Sequence, residues 1–315
     1  MNSIIYEMKE FVASPELFSE ALLVAAVDDE ARSKYAIGKI TSFQDICGAA
    51  IVFTYGEMDK YGEVLQSIES VYGAENVNVI EGFTNSQYEF ITQMQTCESL
   101  INAKKIIIDI SCILTPYLFL IMKCIYMWNH DATIYAINTI PYDYSFPESP
   151  FLSYKSYYGD LKMEEIIGFS SSEGMRQKKD LFIFAGFEGA LALKVEEDIE
   201  YSQLYYVNAL PSYYQKYKDI SIINNYQLLL SKNCKRLYAP AINPFEVYNL
   251  LDGSIDESRS VSIAPLCTKP MSLGICMYAL EHHNVRIVYP FSDQYESHRS
   301  YDVYKSYIYK IPREW

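Results

Sequence analysis

The stretch from Val261 to Tyr289, VSIAPLCTKPMSLGICMYALEHHNVRIVY, contains the pattern from which the fold of the chain can be predicted. A first apolar run ends at Pro265 and is followed by a short polar turn. A second apolar run covers Pro270 to about His282, and a third one ends at Tyr289. Runs of these lengths in this order predict a strand, a turn, a helix and a second strand, which is the repeating unit of a parallel α/β sheet.

The predicted start of this helix is the first candidate binding site. Pro270 suits an early helical position, where its missing N–H costs no hydrogen bond, and the residue before a proline avoids helical geometry. We therefore expect Lys269 to be the N-cap. Free N–H groups in the first turn of a helix attract anions. Together with the hydroxyl groups of Thr268 and Ser272 and the ammonium group of Lys269, they predict a site for phosphate or a similar anion.

The composition is that of a soluble globular protein with one large domain or two ordinary ones, since 50% of its 315 residues are hydrophobic and 21% are charged. The chain has no uncharged stretch long enough to cross a bilayer and no pattern of a secretion signal, which predicts a cytoplasmic protein. Its seven cysteines include no C-x-x-C pair and are expected to be free thiols. The net charge of −14 argues against broad binding to DNA or RNA, whereas a small anion held by a local basic loop fits.

Alternating apolar strands and helices continue along most of the chain. They predict an α/β fold of two Rossmann-like half-repeats, each with a mainly parallel sheet and helices on both faces. The expected divisions are an N-terminal extension at 1–46, a first half at 47–145, a linker at 146–178, and a second half at 179–315 with an insertion near 208–240. Within the extension we expect a helix that ends near Ala26 and an edge strand from Tyr35 to Ile40.

Two matching pairs of segments indicate an internal duplication. In the first pair, FTYGE at 53–57 aligns with FAGFE at 184–188. In the second pair, Thr-Pro at 115–116 aligns with Lys-Pro at 269–270. The second pair is spaced more widely along the chain than the first, and this difference is the basis for the insertion expected in the second half.

The turns after the predicted strands supply the remaining candidate ligand-binding residues, because ligands of doubly wound sheets bind beyond the carboxyl ends of the strands. These residues are Thr54, Ser111, Thr115, Gly186 and Gly189. The two glycines favour a close approach of the backbone to a ligand, although a tight turn without any ligand is an equal alternative. Neither a Walker A motif nor G-x-G-x-x-G is present, which argues against a P-loop NTPase and a standard dinucleotide site.

Glu57 and Glu188 occupy equivalent positions in the first pair of segments and are the candidate catalytic residues, as a general base, a ribose ligand or a metal ligand. Acidic residues at helix N-termini also need no role beyond the helix dipole, so whether the chain is an enzyme stays open. Cys267 beside a helix N-terminus can carry a lowered pKa. Asp109, at the end of its strand, either orients a ligand hydroxyl or caps its own turn. No metal site and no resident cofactor are predicted.

The run Thr268-Lys269-Pro270-Met271-Ser272-Leu273-Gly274, between an apolar strand and a helix, resembles the G-T-K-x-M-x-L turn of CRISPR-associated Rossmann-fold (CARF) sensor domains. Leu266 and Cys267 stand where that family has a pair of glycines. A single chain with two such halves also resembles the SAVED domain of antiphage signalling. The resemblance implies that Thr268, Lys269 and Ser272 contact a cyclic oligonucleotide, that 185–188 border the pocket, and that the protein serves bacterial defence.

Three functions are consistent with these patterns. The first is a nucleotide-binding sensor or regulatory subunit that acts through a partner protein or as a homo-oligomer. The second is a Rossmann-like enzyme that cleaves or transfers a phosphate or glycosidic bond of a nucleotide. The third is a structural subunit of an assembly, in which the turns bind nothing and the abundant tyrosines form an interface.

Overall fold

The computed structural model describes residues 4–7, 19–28, 30–40, 48–54, 62–80, 86–144, 161–170, 179–231, 233–292 and 300–312. The chain separates into two compact units. Unit 1 consists of Met1–Phe146 together with Ser297–Trp315, and unit 2 consists of Pro147–Glu296. Each unit has its own mainly parallel sheet with helices, so the predicted α/β fold class is confirmed.

The strands and helices alternate along most of the chain. The described strands are β1 (Ile4–Glu7), β2 (Leu22–Val27), β3 (Ala49–Thr54), β4 (Val77–Ile80), β5 (Lys105–Asp109), β6 (Thr133–Tyr144), β7 (Leu161–Glu165), β8 (Lys179–Phe184), β9 (Gln203–Ala209), β10 (Cys234–Ala239), β11 (Ser260–Pro265), β12 (Val285–Ser292) and β13 (Ser300–Ile311). The described α-helices are α1 (Ala31–Ile40), α2 (Gly62–Tyr72), α3 (Gln87–Thr96), α4 (Glu98–Asn102), α5 (Thr115–Trp128), α6 (Gly189–Asp198), α7 (Gln215–Asn224), α8 (Tyr226–Leu229), α9 (Pro244–Ser254) and α10 (Lys269–Glu281).

Unit 1 contains a seven-stranded sheet in the order β1-β13-β6-β5-β2-β3-β4. Strands β2 to β6 are parallel, and β13 is antiparallel to both of its neighbours, β6 and β1. Helices α1 and α2 pack on one face, where Leu23 and Val52 meet Ile37 and Ile68. On the opposite face the ring of Phe90 in α3 lies 5.4 Å from that of Phe53. The sheet therefore has helices on both sides, as expected for a parallel sheet.

Unit 2 contains a six-stranded sheet in the order β10-β9-β8-β11-β12-β7. All of these strands are parallel except β7, which pairs with β12 in the antiparallel direction. Leu181 and Ile183 of β8 pack against Leu191 and Val195 of α6. Phe182 faces the other way and stacks on Tyr205 at a distance of 4.2 Å between ring centroids. This alternation follows from the two-residue period of a strand.

The two sheets share one strand order, which supports an internal duplication but changes its register. The equivalent pairs are β2 with β8, β3 with β9, β4 with β10, β5 with β11 and β6 with β12. Their spacing along the chain is nearly constant, since they begin at positions 22 and 179, 49 and 203, 77 and 234, 105 and 260, and 133 and 285. The alignment of 53–57 with 184–188 is therefore wrong, because it joins β3 to β8. The insertion expected near 208–240 disappears with it, whereas the alignment of 115–116 with 269–270 agrees with the fold.

Several expected boundaries differ from the structure for a common reason. Residues 22–27 form the central strand β2 rather than the end of a helix in an extension, and 35–40 lie in α1 rather than in an edge strand. A short apolar run such as LLVAAV fits a buried strand and a buried helix equally well. Residues 161–165, within the expected linker, form β7, and β13 returns to the sheet of unit 1. Long-range pairing of this kind leaves no local pattern in the sequence.

Candidate functional site

The strand order of unit 2 reverses direction between β8 and β11. From β8 the chain adds β9 and then β10 on one side, and afterwards returns to add β11 and β12 on the other side. Helix α6 follows β8, and helix α10 follows β11. In doubly wound sheets the crevice between two such turns is the usual ligand site. The turns at 185–188 and 266–268, which the sequence also indicated, lie at this switch point.

The start of α10 brings a cationic group and backbone donors to the switch point. Helix α10 is 13 residues long and begins at Lys269, with Thr268 rather than Lys269 as its N-cap and Pro270 in its first turn. The Thr268 side chain does not cap the helix. Its hydroxyl group instead donates to the carbonyl oxygen of Ala241, 2.7 Å away. The positive end of the helix dipole and the half-buried Lys269 therefore both favour an anion here.

Ser272 has a different environment from the one the resemblance implies. Its side chain is fully buried, and its hydroxyl oxygen lies 3.7 Å from the sulfur atom of Cys267. Burial raises the pKa of the Cys267 thiol to about 12, although the contact with Ser272 and the charge of Lys269 act in the opposite direction. Cys267 is therefore a neutral thiol at physiological pH, and the lowered pKa expected from its position at a helix N-terminus is wrong.

Gly186 and Gly189 are surrounded by the protein's own backbone. A Cβ atom on Gly186 would overlap the carbonyl oxygen of Leu266, and one on Gly189 would overlap that of Asn224. Both positions therefore require glycine for packing. The carbonyl of Gly186 also accepts hydrogen bonds from Ser221 (2.9 Å) and Asn225 (3.0 Å). The turn after β8 is thus held in place by packing and hydrogen bonds, and it directly contacts the turn after β11.

Glu188 is the last residue of this turn and the N-cap of α6, and its carboxylate makes no capping hydrogen bond. Its side chain is half-buried, and its carbonyl oxygen accepts from the N–H groups of Leu191 and Ala192. In the strand order, Glu188 and Lys269 follow the two neighbouring strands β8 and β11. The switch point therefore combines an acceptor after one strand with a cation after the next.

The true counterpart of Glu188 in unit 1 is Glu30, which sequence reasoning missed. Glu30 directly precedes α1, just as Glu188 directly precedes α6. Glu57, the partner expected from the sequence, lies outside the described residues. Glu30 is buried, accepts from Arg32 Nε at 2.7 Å and accepts from Ser300 Oγ at 2.6 Å. Treating β2 as the first strand would have identified it, because the spacing between the two halves is then nearly constant.

The other predicted residues of unit 1 are all buried. Thr54 ends β3, and its hydroxyl has no hydrogen-bond partner within the described residues. Ser111 donates to Asp109 Oδ1 through both its N–H, at 3.0 Å, and its hydroxyl, so Asp109 caps its own turn. The Ser111 hydroxyl oxygen also accepts from the N–H of Thr139 at 2.8 Å. Thr115 is the first residue of α5. Ser111 and Asp109 therefore hold the turn after β5 in place.

Two further features bear on the class of protein. Within the described ranges, no helix has the length and apolar character that a membrane span needs. Among the same residues, no three or more His, Cys, Asp or Glu side chains come together as a metal site. The six described cysteines are free thiols.

Comparison with known proteins leaves the family undetermined. The chain matches no protein-family model and no curated protein. Among solved structures, it is similar to a universal stress protein from Archaeoglobus fulgidus DSM 4304, with 11% sequence identity and a TM-score of 0.24. The alignment covers 88% of this chain and 98% of the other. At a TM-score of 0.24 the match carries no information about function.

Proposed function

We propose that this protein is a nucleotide-binding sensor or regulatory subunit of a bacterial antiphage defence system. In this proposal it works in the cytoplasm and acts through a partner protein. The ligand is a nucleotide or cyclic oligonucleotide bound at the switch point of unit 2. The observation that carries the proposal is the position of Lys269, in the first turn of a 13-residue helix directly after the strand at which the strand order reverses.

The charges at the switch point favour an anionic ligand over a neutral one. The chain as a whole carries a net charge of −14, so it repels anions in general. At the start of α10 the helix dipole contributes the equivalent of roughly half a positive charge, and the ammonium group of Lys269 adds a full one. The resemblance of 268–274 to the CARF turn narrows the anion to a phosphate of a nucleotide.

The position of Glu188 favours a nucleotide over inorganic phosphate. A carboxylate at the end of the turn after β8 is suited to accept hydrogen bonds from ribose hydroxyl groups, the role that acidic residues have in dinucleotide folds. Inorganic phosphate has no ribose hydroxyl group to donate to that carboxylate. Burial raises the pKa of the Cys267 thiol to about 12, which argues against an enzyme that uses this cysteine as its nucleophile. Glu188 remains the candidate base of the alternative, a nucleotide-cleaving or nucleotide-transferring enzyme.

Isothermal titration of the full chain with a panel of cyclic di-, tri- and tetranucleotides tests the proposal. We expect at least one of them to bind, and Lys269→Ala to weaken that binding by about tenfold or more, which corresponds to about 1.4 kcal/mol. Lys235→Ala is the matched control, because Lys235 is exposed on strand β10 at the edge of the same sheet. If no member of the panel binds, or if Lys269→Ala binds as tightly as the parent, the proposal is wrong.

Chromatography of the same mixtures distinguishes the sensor from the enzyme. A sensor leaves the nucleotide intact over hours. Ligand turnover that stops in Glu188→Gln, while binding persists, would instead establish the enzyme.

A further inference from the structure

A cluster of buried charged side chains lies at the switch point of unit 1, where β2 and β5 are neighbours. Three carboxyl groups belong to it, those of Asp28, Glu30 and Asp109, whose exposed fractions are 1%, 5% and 2%. Arg32, with a side chain that is 11% exposed, forms an ion pair with Glu30. Its positive charge also acts to lower the pKa of Asp109.

The hydrogen bonds of the cluster distinguish Glu30 from Asp109. Arg32 donates from Nε to Glu30 Oε2 at 2.7 Å and also from Nη2 to the same oxygen. Ser300 Oγ donates to that oxygen as well. Asp109 instead receives two bonds from Ser111, and both end at Oδ1. Its Oδ2 atom is buried and has no hydrogen-bond partner in the part of the chain that the structure describes.

A buried oxygen atom without a hydrogen-bond partner destabilises the fold far more when it belongs to an ionised carboxylate than when it belongs to a neutral carboxylic acid. The observed pattern, with Arg32 bonded to Glu30 and not to Asp109, therefore fits a protonated Asp109 better than an ionised one. An ionised Asp109 would compete with Glu30 for the guanidinium group of Arg32. We propose that Asp109 binds and releases a proton in the folded protein, and that this proton decides whether Arg32 pairs with Glu30 or is shared with Asp109.

The environment of Asp109 has opposing effects on its pKa. Asp28 at the end of β2, Glu30 before α1 and Cys112 after β5 belong to the same electrostatic cluster. Tyr144 in β6 lies against Arg32, whose Cζ atom is 5.8 Å from the centroid of the ring. Burial raises the pKa of Asp109 to about 6, although Ser111 and Arg32 each act to lower it. The release of the proton therefore falls within the pH range of cells.

The sign of the effect on stability follows from the two protonation states. The ordinary pKa of the carboxyl group is 3.8, and the folded value is about 6, so between these values the folded chain binds the proton more tightly than the unfolded chain. The contribution of Asp109 to stability is complete below pH 3.8 and is lost as the pH rises through about 6. A difference of about two pH units corresponds to roughly a hundredfold change in the folding equilibrium constant.

Urea unfolding of the full chain at pH 5 and pH 8 tests the proposal, with the Asp109→Asn variant beside the parent. Asparagine keeps the Oδ1 acceptor for Ser111 but cannot titrate. We expect the ratio of the folding equilibrium constant of Asp109→Asn to that of the parent to rise by roughly tenfold or more between pH 5 and pH 8. Asp131→Asn, on an exposed turn of the same unit, should leave this ratio unchanged. Equal pH dependences of parent and Asp109→Asn would overturn the proposal.

A second measurement keeps the proposal testable if Asp109→Asn fails to fold. Carbon-13 NMR of the parent with labelled aspartate carboxyl groups should show one aspartate that titrates near pH 6, well above the others. If every aspartate carboxyl group of the folded parent titrates below pH 5, Asp109 is ionised under ordinary conditions and the proposed switch does not exist.

Discussion

The hydroxyl group of Thr268 donates to the carbonyl oxygen of Ala241 at 2.7 Å and thereby joins the turn after β11 to the turn after β10. A threonine directly before a helix would usually bond to the helix itself, as an N-cap does. Here the side chain bonds to the neighbouring loop instead of the helix. The bond therefore fixes the start of α10 to the loop after β10.

Replacing Thr268 with valine tests how much this bond contributes to stability. Valine has the same shape but leaves the Ala241 carbonyl without this donor, and a lost hydrogen bond of this kind costs about 1 kcal/mol. We expect Thr268→Val to lower the free energy of unfolding by about that amount in urea denaturation, whereas Thr268→Ser should largely restore it. Equal stability of the valine variant and the parent would show that the bond contributes nothing.

The pair of Arg259 and Asp180 should be among the most important for the stability of unit 2. Asp180 is buried at the start of β8, and its Oδ2 atom accepts from Arg259 Nε at 2.6 Å, with a second bond from Nη2 to Oδ1. Arg259→Ala leaves a buried carboxylate without its cation, which should cost about 3–5 kcal/mol in chemical denaturation. The neighbouring exposed pair of Lys179 and Glu200 is the control. Lys179→Ala should change stability by less than about 1 kcal/mol.

Gly186, in the turn after β8, should be required for stability because of close packing. A Cβ atom at Gly186 meets the Leu266 carbonyl, so Gly186→Ala should destabilise the fold by more than about 1 kcal/mol. Gly253 in helix α9 has nothing within 4 Å of its would-be Cβ atom, so Gly253→Ala should be neutral or stabilising by up to about 1 kcal/mol. Thermal unfolding of both variants provides the test. Normal stability of Gly186→Ala would show that close packing against the Leu266 carbonyl is not the reason for a glycine at this position.

The alternation of elements could be predicted from the sequence, but the register of the two halves could not. Strand-turn-helix signals are local, and the proline in the first turn of both α5 and α10 gave a correct match between the halves. The apolar run 22–27 carries no local sign that it is a central strand. The return of β13 to unit 1 depends on pairing with β6, from which the whole of unit 2 separates it in the sequence.

The candidate site was predictable to a similar degree. Lys269 could be placed at a helix start because a proline and an apolar run mark that start. Whether the Ser272 hydroxyl faces a ligand depends on the packing around α10, where a would-be Cβ atom on Gly274 would overlap the backbone carbonyl of Pro244 in α9. That packing is a property of two segments far apart in sequence, so no local pattern contains it.

The two equivalent glutamates should differ sharply in what they contribute to stability. Glu30 is buried and paired with Arg32, whereas Glu188 is half-buried and makes no capping bond. Glu30→Gln removes the charge opposite a buried guanidinium group and should cost roughly 3 kcal/mol. Glu188→Gln should cost less than Glu30→Gln, because the Glu188 side chain is half-buried and does not cap the helix. Urea denaturation of both variants measures the difference. Similar losses in the two variants would mean that Glu188 also has a structural role, and its assignment to a ligand site in unit 2 would lose its basis.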